Sequence, residues 1–322
     1  MFGIVVIGRN EGDRLKACFN STPRSTPLVY VDSCSTDGST LLAHEFNAVI
    51  VDLDLRLPFT AARARNAGFQ KLRETFPSLK YVQFIDGDCV VCPNWLDQAV
   101  NFLERNNHIC AVFGRRRERY PDRSIYNKLC DLEWDDVPLG EASECGGDVM
   151  MRIDALSAAG GYRADLIAGE EPELCLRLQR AGGIVWRIDA EMTLHDAAIT
   201  RLAQWAKRTV RNGYALAQGA ALHGSGPERY RSRAAQRTWL WGFWAPMTGL
   251  ALIAVFGPIG ITFFLIYAVQ FVRLLKRNKG SLRERALRSF FQVVGRFPET
   301  FGQLKYWRDR LLNQQTRLIE YK

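Results

Sequence analysis

Four short apolar runs, Gly3–Ile7, Leu28–Val31, Ala48–Asp52 and Tyr81–Ile85, alternate with helical patterns through the front of the chain. The helices are expected over Glu11–Asn20, Ser39–Phe46, Phe59–Thr75 and Trp95–Arg105. When each strand is followed by a helix before the next strand, the neighbours pair in parallel and the helices cover the sheet. The fold class is therefore α/β, an open and mostly parallel sheet flanked by helices, whose ligands bind at the carboxyl ends of the strands. A further strand is expected near Ala111–Gly114, followed by a polar segment to about residue 144. Helices at Ile153–Ala159 and Glu173–Ala181 and a strand at Ile184–Ile188 complete the pattern.

Charge divides the chain. Its 322 residues carry a net +9, yet residues 229–322 alone hold 17 Lys and Arg against 4 Asp and Glu. An acidic front and a strongly basic rear suggest two tasks, the rear meeting an anionic surface. The start, MFGIVVIGRNEG, reads as a first strand and lacks the basic leader and long apolar stretch of a signal peptide. The eight cysteines lie between residues 18 and 175, which favours reduced thiols over a disulfide framework. Cys89 and Cys92 form a C-x-x-C, but no second pair or histidine follows at zinc-finger spacing.

From Thr238 to Val272 there are 35 consecutive residues without a formal charge, opening with Trp239, Trp241 and Trp244. Gly257-Pro258-Ile259-Gly260 interrupts the run, and Arg273, Lys276, Arg277 and Lys279 close it. Two spans of about 17 residues meet the lower limit for membrane helices and leave both basic ends on one face. A re-entrant hairpin and a helical hairpin inside a soluble core satisfy the same pattern. The domain reading is a catalytic domain over 1–222, a basic linker over 223–238, a hydrophobic helical hairpin over 239–275, and basic amphipathic helices over 276–322. An uncharged run of this length argues against nucleic acid as partner, because a phosphate-tracking surface interleaves charge throughout.

The chemistry concentrates at the ends of the expected strands. VQFIDGD ends an apolar run in Asp86-Gly87-Asp88, two carboxylates spaced to share a hard cation. Around it, in chain order, lie VDSCSTDGS at Val31–Ser39, ARNAG at Ala64–Gly68, CGGD at Cys145–Asp148, EEPEL at Glu170–Leu174, and His195-Asp196. In order and spacing, residues 3–200 resemble a family 2 glycosyltransferase of GT-A fold, whose pattern reads V-D-D-G-S-T-D-G-S, A-R-N-x-G, D-x-D and E-D-x-D-L.

The resemblance implies roles. Asp32 would hydrogen-bond the nucleotide base, whereas Asp37 suits an Asx-turn or helix cap as well. Arg65 would lie near the pyrophosphate, and Asn66 would fix a turn. Asp86 would touch the ribose or sugar, and Asp88 would bind Mn2+ or Mg2+ directly with His195 as second ligand. Glu170 and Asp148 complete the expected nucleotide-sugar contacts, and Glu171 stands in the place of the catalytic base. Here the chain departs from the pattern, since Glu replaces the usual Asp and its extra methylene moves the carboxylate by about one bond length. A helix-start acid run serving the helix dipole is the alternative use of Glu170, Glu171 and Glu173.

The resemblance thus implies an inverting, metal-dependent transferase using a nucleotide sugar, a UDP-sugar by expectation. Its rear region would hold it at the cytoplasmic face of the plasma membrane, facing a lipid-linked or glycan acceptor. A non-catalytic membrane-bound nucleotide-sugar binder is the alternative that the Glu171 departure leaves open.

Overall fold

The computed structural model describes residues 1–54, 56–57 and 60–314. Phe59, the expected first residue of the third helix, and the tail from 315 to 322 lie outside the described residues. Two compact units are present, one of Met1–Asp122 with Glu133–Ala198, the other of Arg123–Leu132 with the chain from Ile199 onward.

The first unit is built on a nine-stranded sheet of the described residues. Its strands are β1 (Phe2–Gly8), β2 (Leu28–Asp32), β3 (Val49–Asp52), β4 (Tyr81–Asp86), β5 (Cys89–Val91), β6 (Ile109–Glu118), β7 (Gly140–Glu141), β8 (Val149–Arg152) and β9 (Ile184–His195). The order is β3-β2-β1-β4-β8-β6-β9-β5, with β7 paired to β9. Strands β1 to β4 pair in parallel, and β8 enters antiparallel between β4 and β6. The α/β expectation holds. Continuous apolar runs make strands buried on both faces, and β2 is buried at every position.

The helices flanking this sheet are α1 (Asp13–Asn20), α2 (Ser39–Glu45), α3 (Ala61–Thr75), α4 (Trp95–Arg105), α6 (Ile153–Ala158) and α7 (Glu170–Arg180), with α5 (Ile125–Glu133) falling mostly in the second unit. Thr60 starts α3 by accepting the Arg63 amide at 3.1 Å. Gly68 lets that helix lie close on the sheet: a Cβ there would stand 2.8 Å from Val31 and nearer still to Val5. The glycine of ARNAG therefore has a packing reason.

The second unit contains α8 (Leu202–His223), α9 (Ser232–Trp239), α10 (Ala245–Phe256), α11 (Leu265–Arg277), α12 (Leu282–Val294) and α13 (Arg296–Leu311). Helix α8 lies within the 1–222 span read as the catalytic domain, and by compactness it belongs to this unit. Gly213 and Gly302 lie against the backbone of Glu299 and Val210, so α8 and α13 cross closely. Among the described residues one helical run, Ser232–Arg277, is long and apolar enough to cross a membrane by length and composition. Its most apolar stretch has a mean hydropathy of 2.3 and is 11% buried, unlike a soluble core hairpin.

The run reverses at Gly257, whose φ of 63° suits glycine, and resumes as a 3-10 helix from Gly257 to Phe264. Its two legs pack together. Tyr267 Oη donates to the Trp241 carbonyl at 2.6 Å, and Gly260 lies against the Leu252–Ile253 backbone.

Candidate active site

The expected residues converge at the carboxyl ends of β4 and β2, as the sheet class requires. Asp86 ends β4, and the antiparallel pairing of β5 with β9 sets Cys89 opposite His195. That register brings the imidazole to Asp88, with Nε2 3.3 Å from Oδ1. His195 had been expected just past the last strand. It is instead the last residue of β9, which runs 12 residues because it pairs with β6 through register shifts.

Arg65, on α3 and buried, joins the two acidic motifs. Its guanidinium donates to Asp86 Oδ1 at 2.9 Å and to Glu170 Oε1 at 3.0 Å, and lies 3.0 Å from Glu171 Oε1. The expected phosphate fork is thus held by three carboxylates, a charge-assisted arrangement that fixes the D-x-D and the start of α7 relative to one another. Gly147 packs on the same guanidinium, and a Cβ at that position would also lie 3.1 Å from Glu171 Oε1. Asn66 donates to the Tyr162 carbonyl at 2.7 Å and accepts the Tyr162 amide at 2.8 Å, fixing a turn as expected.

Two expected donor contacts need correction. Asp148 is fully buried: its Oδ1 accepts the Asp86 amide at 3.0 Å and its Oδ2 accepts the Thr193 hydroxyl at 2.7 Å. It props up the D-x-D from behind and presents no oxygen to a sugar. Glu170 is also buried and spends Oε1 on Arg65, while its Oε2 has no hydrogen-bond partner among the described residues. Its place is inside the site wall.

Asp32 sits buried at the exit of β2. It accepts the Tyr30 hydroxyl at 3.0 Å and the Ser35 amide at 2.7 Å. Asp37 accepts the amides of Gly12 and Ser39 and the Ser39 hydroxyl, tying together the loops after β1 and β2. The Asx-turn reading suits Asp37. Cys34, where the family pattern has glycine, adopts φ 65°, and this left-handed backbone is why a glycine belongs there.

Glu171 lies in the first turn of α7 with its side chain 15% exposed. Burial and the neighbouring Glu170 push its carboxyl up to about 7, while Arg65 pulls the other way. A carboxylate tuned to neutral pH is suited to general base work.

Sequence reasoning missed Arg116 and Trp134. Arg116 extends from β6 to Asp86 Oδ2 at 3.0 Å, and its guanidinium stacks 5.0 Å from the Trp134 ring centre. Trp134 in turn stands edge-on to His195 at 4.7 Å. The signal was the run Arg115-Arg116-Arg117 in a strand, whose alternation puts the middle side chain on the face opposite its neighbours.

The donor atoms of Asp86, Asp88, Cys89 and His195 all lie within 4.8 Å of one another. Burial holds the Cys89 thiol well above its ordinary range, so it stays protonated and is a poor partner for a hard ion. The remaining carboxylates and imidazole fit Mn2+ or Mg2+. A separate cavity of about 1230 Å³ opens near the start of β4, lined by Lys80, Tyr81 and Arg152, away from these groups.

Residues 3–158 match the sequence family described as Glycosyl transferase family 2. An "Uncharacterized glycosyltransferase" of Haemophilus influenzae is 26% identical over 140 residues, covering 42% of this chain and 48% of its own. The glycosyltransferase AglE of Haloferax volcanii is 21% identical over 192 residues, 56% of this chain and 61% of its own. The chain therefore spans about half to three fifths of the length of these curated relatives.

Among solved structures, the mannosyltransferase PcManGT of Pyrobaculum calidifontis, in complex with GDP-Man and Mn2+, superposes with a TM-score of 0.59 at 16% identity. The match covers 95% of this chain and 87% of that one. S. aureus TarS 1–349 gives 0.53 at 14% identity, over 95% and 91% of the two chains. Motif order, family match and shared fold agree: residues 3–158 match glycosyltransferase family 2, and the chain has the GT-A fold.

Proposed function

We propose that the chain is an inverting glycosyltransferase that moves a sugar from a nucleotide-sugar donor to an acceptor on a lipid or glycan at the cytoplasmic face of the plasma membrane. The observation that carries this reading is the Arg65 bridge, which sets the Glu171 carboxylate and the D-x-D around one site at the carboxyl end of β4. Glu171 takes the proton of the acceptor hydroxyl as its oxygen attacks the anomeric carbon. The bond from that carbon to the nucleoside diphosphate breaks on the opposite face, and the configuration inverts. Asp88 and His195 would hold a divalent ion. When bound, such an ion neutralises the charge that develops on the leaving diphosphate. Asp32, at the exit of β2, takes the nucleotide base.

The sequence points to UDP as carrier, whereas the solved neighbour PcManGT holds GDP-Man. The test presents both. Detergent-purified protein is given UDP- and GDP-sugars with Mn2+ or Mg2+, with and without lipid extract, and nucleoside diphosphate release is followed. Release is expected to depend on metal, to grow with lipid, and to fall by about 10²-fold or more in Asp88→Ala. Nucleotide binding without release under any lipid would favour the non-catalytic binder.

Membrane attachment is supported by the exposed hairpin. Leu250, Val255, Phe256, Ile259 and Ile261 are more than half exposed at its far end, and cationic residues flank its base. The leg from Leu240 to Phe256 rises about 25 Å, short of the roughly 30 Å hydrocarbon core, and the chain then turns back. The hairpin thus enters and leaves on one face. The protein is expected to sediment with phosphatidylglycerol vesicles, and Leu250→Glu with Ile259→Glu is expected to lower that association by about tenfold or more. Equal sedimentation of both proteins would remove the hairpin from the reading.

A further inference from the structure

We infer, resting on the divalent-ion site proposed above, that Arg116 is a built-in cation of that site, which competes with the metal for Asp86 and sets its affinity. Arg116 reaches the site because β6 shifts register against β9 on either side of Arg115, which re-aims the side chain that follows. Its Nη2 donates to Asp86 Oδ2 at 3.0 Å and to Cys89 Sγ at 3.4 Å, and its Nε lies 3.4 Å from Asp148 Oδ2. The face of Trp134 backs the guanidinium, and the same ring makes a T-shaped contact with His195. Arg116 is therefore held by two of the four groups whose donor atoms cluster within 4.8 Å.

The other oxygen of Asp86 is taken by Arg65. An ion arriving on Asp88 and His195 meets a guanidinium on each oxygen of Asp86, and gains that carboxylate as a full-strength ligand when one of them lets go. Arg65 is 3% exposed and shared among three carboxylates, while the Arg116 side chain is 15% exposed and shared between two, with its closer carboxylate contact to Asp86. Arg116 is the one that yields. With no ion bound, its guanidinium keeps the carboxylates of Asp86 and Asp148 from facing one another uncompensated. Once released, it has the planar fork that suits a diphosphate.

The test is a Mn2+ titration followed by electron paramagnetic resonance of the free ion, on wild type, Arg116→Gln and Arg116→Lys, with Asp88→Asn as the site control. Arg116→Gln is expected to bind Mn2+ about tenfold more tightly than wild type, since a nearby positive charge is removed. Arg116→Lys, which keeps the charge, is expected to stay within about threefold of wild type. Thermal unfolding supplies a second readout: Mn2+ should raise the Tm of Arg116→Gln more than that of wild type, replacing the lost cation.

Mn2+ bound by Arg116→Gln but not by wild type supports the inference in its strongest form. Affinity in Arg116→Gln equal to or below wild type, or no Mn2+ bound by any variant, overturns it. Failure of the transferase reading is separate, since it would show as absent diphosphate release while the Mn2+ affinities still differ.

Discussion

Glu171→Gln is expected to lower turnover by about 10²–10⁴-fold while leaving donor binding nearly intact, the signature of a lost general base. Glutamine keeps the shape and can still accept from Arg65, so the Arg65 bridge to Asp86 and Glu170 survives. What disappears is the proton acceptor. In wild type, kcat/KM should rise with pH through about 7, where burial and Glu170 have pushed the carboxyl. In Glu171→Gln that step should vanish.

The same group makes a stability prediction of opposite sign. A carboxyl raised in the folded state binds its proton more tightly there than in the unfolded chain. Wild-type stability should therefore be greatest below about pH 4.5 with respect to this group, and should fall as pH climbs through about 7. Glutamine cannot ionise and escapes that loss. Glu171→Gln is expected to be more stable than wild type at pH 8 by up to ~3 kcal/mol, and nearly equal to it at pH 5. Denaturant unfolding at the two pH values measures the difference. A variant inactive yet no more stable at pH 8 would mean that Glu171 is not the strained carboxylate described here.

Much of this site was legible in the chain because strand ends leave strong marks. Val and Ile runs fixed β1, β2 and β4 to within about two residues, and the acidic motifs follow where the runs stop. Other features depend on which strands become neighbours. Nothing near residue 195 announces that β9 reaches His195, because register shifts against β6 disturb the alternation that would have marked it.

Local chemistry misled in one place and was passed over in another. The helix expected from Glu173 starts instead at Glu170, after Gly169 at φ 79°, because the first helical turn tolerates Pro172. Asp148 is expected at the nucleotide sugar, but insertion of β8 beside β4 turns it inward under Asp86. Arg116 was visible as the middle of three arginines. Its convergence with Asp86 needed the order β4-β8-β6.

Arg65→Met is expected to be the most destabilising change at the site. Methionine fills similar space but leaves Glu170 buried with no opposing charge, and Asp86 with Arg116 alone. Removing one partner from a buried charge cluster costs about 3–5 kcal/mol. For a chain of this size that corresponds to a fall in Tm of roughly 6–20 °C. The loss should be larger at pH 8 than at pH 5, because the stranded carboxylates can take protons at the lower pH. Adding Glu170→Gln to Arg65→Met removes the most deeply stranded charge and should recover part of the stability, with a coupling of about 0.5–3 kcal/mol in the double-mutant cycle. A residue whose only task was to contact pyrophosphate would behave differently: Arg65→Met would weaken donor binding while its Tm stayed at the wild-type value, and Glu170→Gln would have nothing to rescue. The geometry favours the first outcome, since the guanidinium is 3% exposed and bonded to carboxylates of two separate motifs. Arg65 is then the residue through which the D-x-D strand end and the start of α7 keep a fixed separation, and a shift of about 1 Å in an active site is enough to cost roughly 10²-fold in rate.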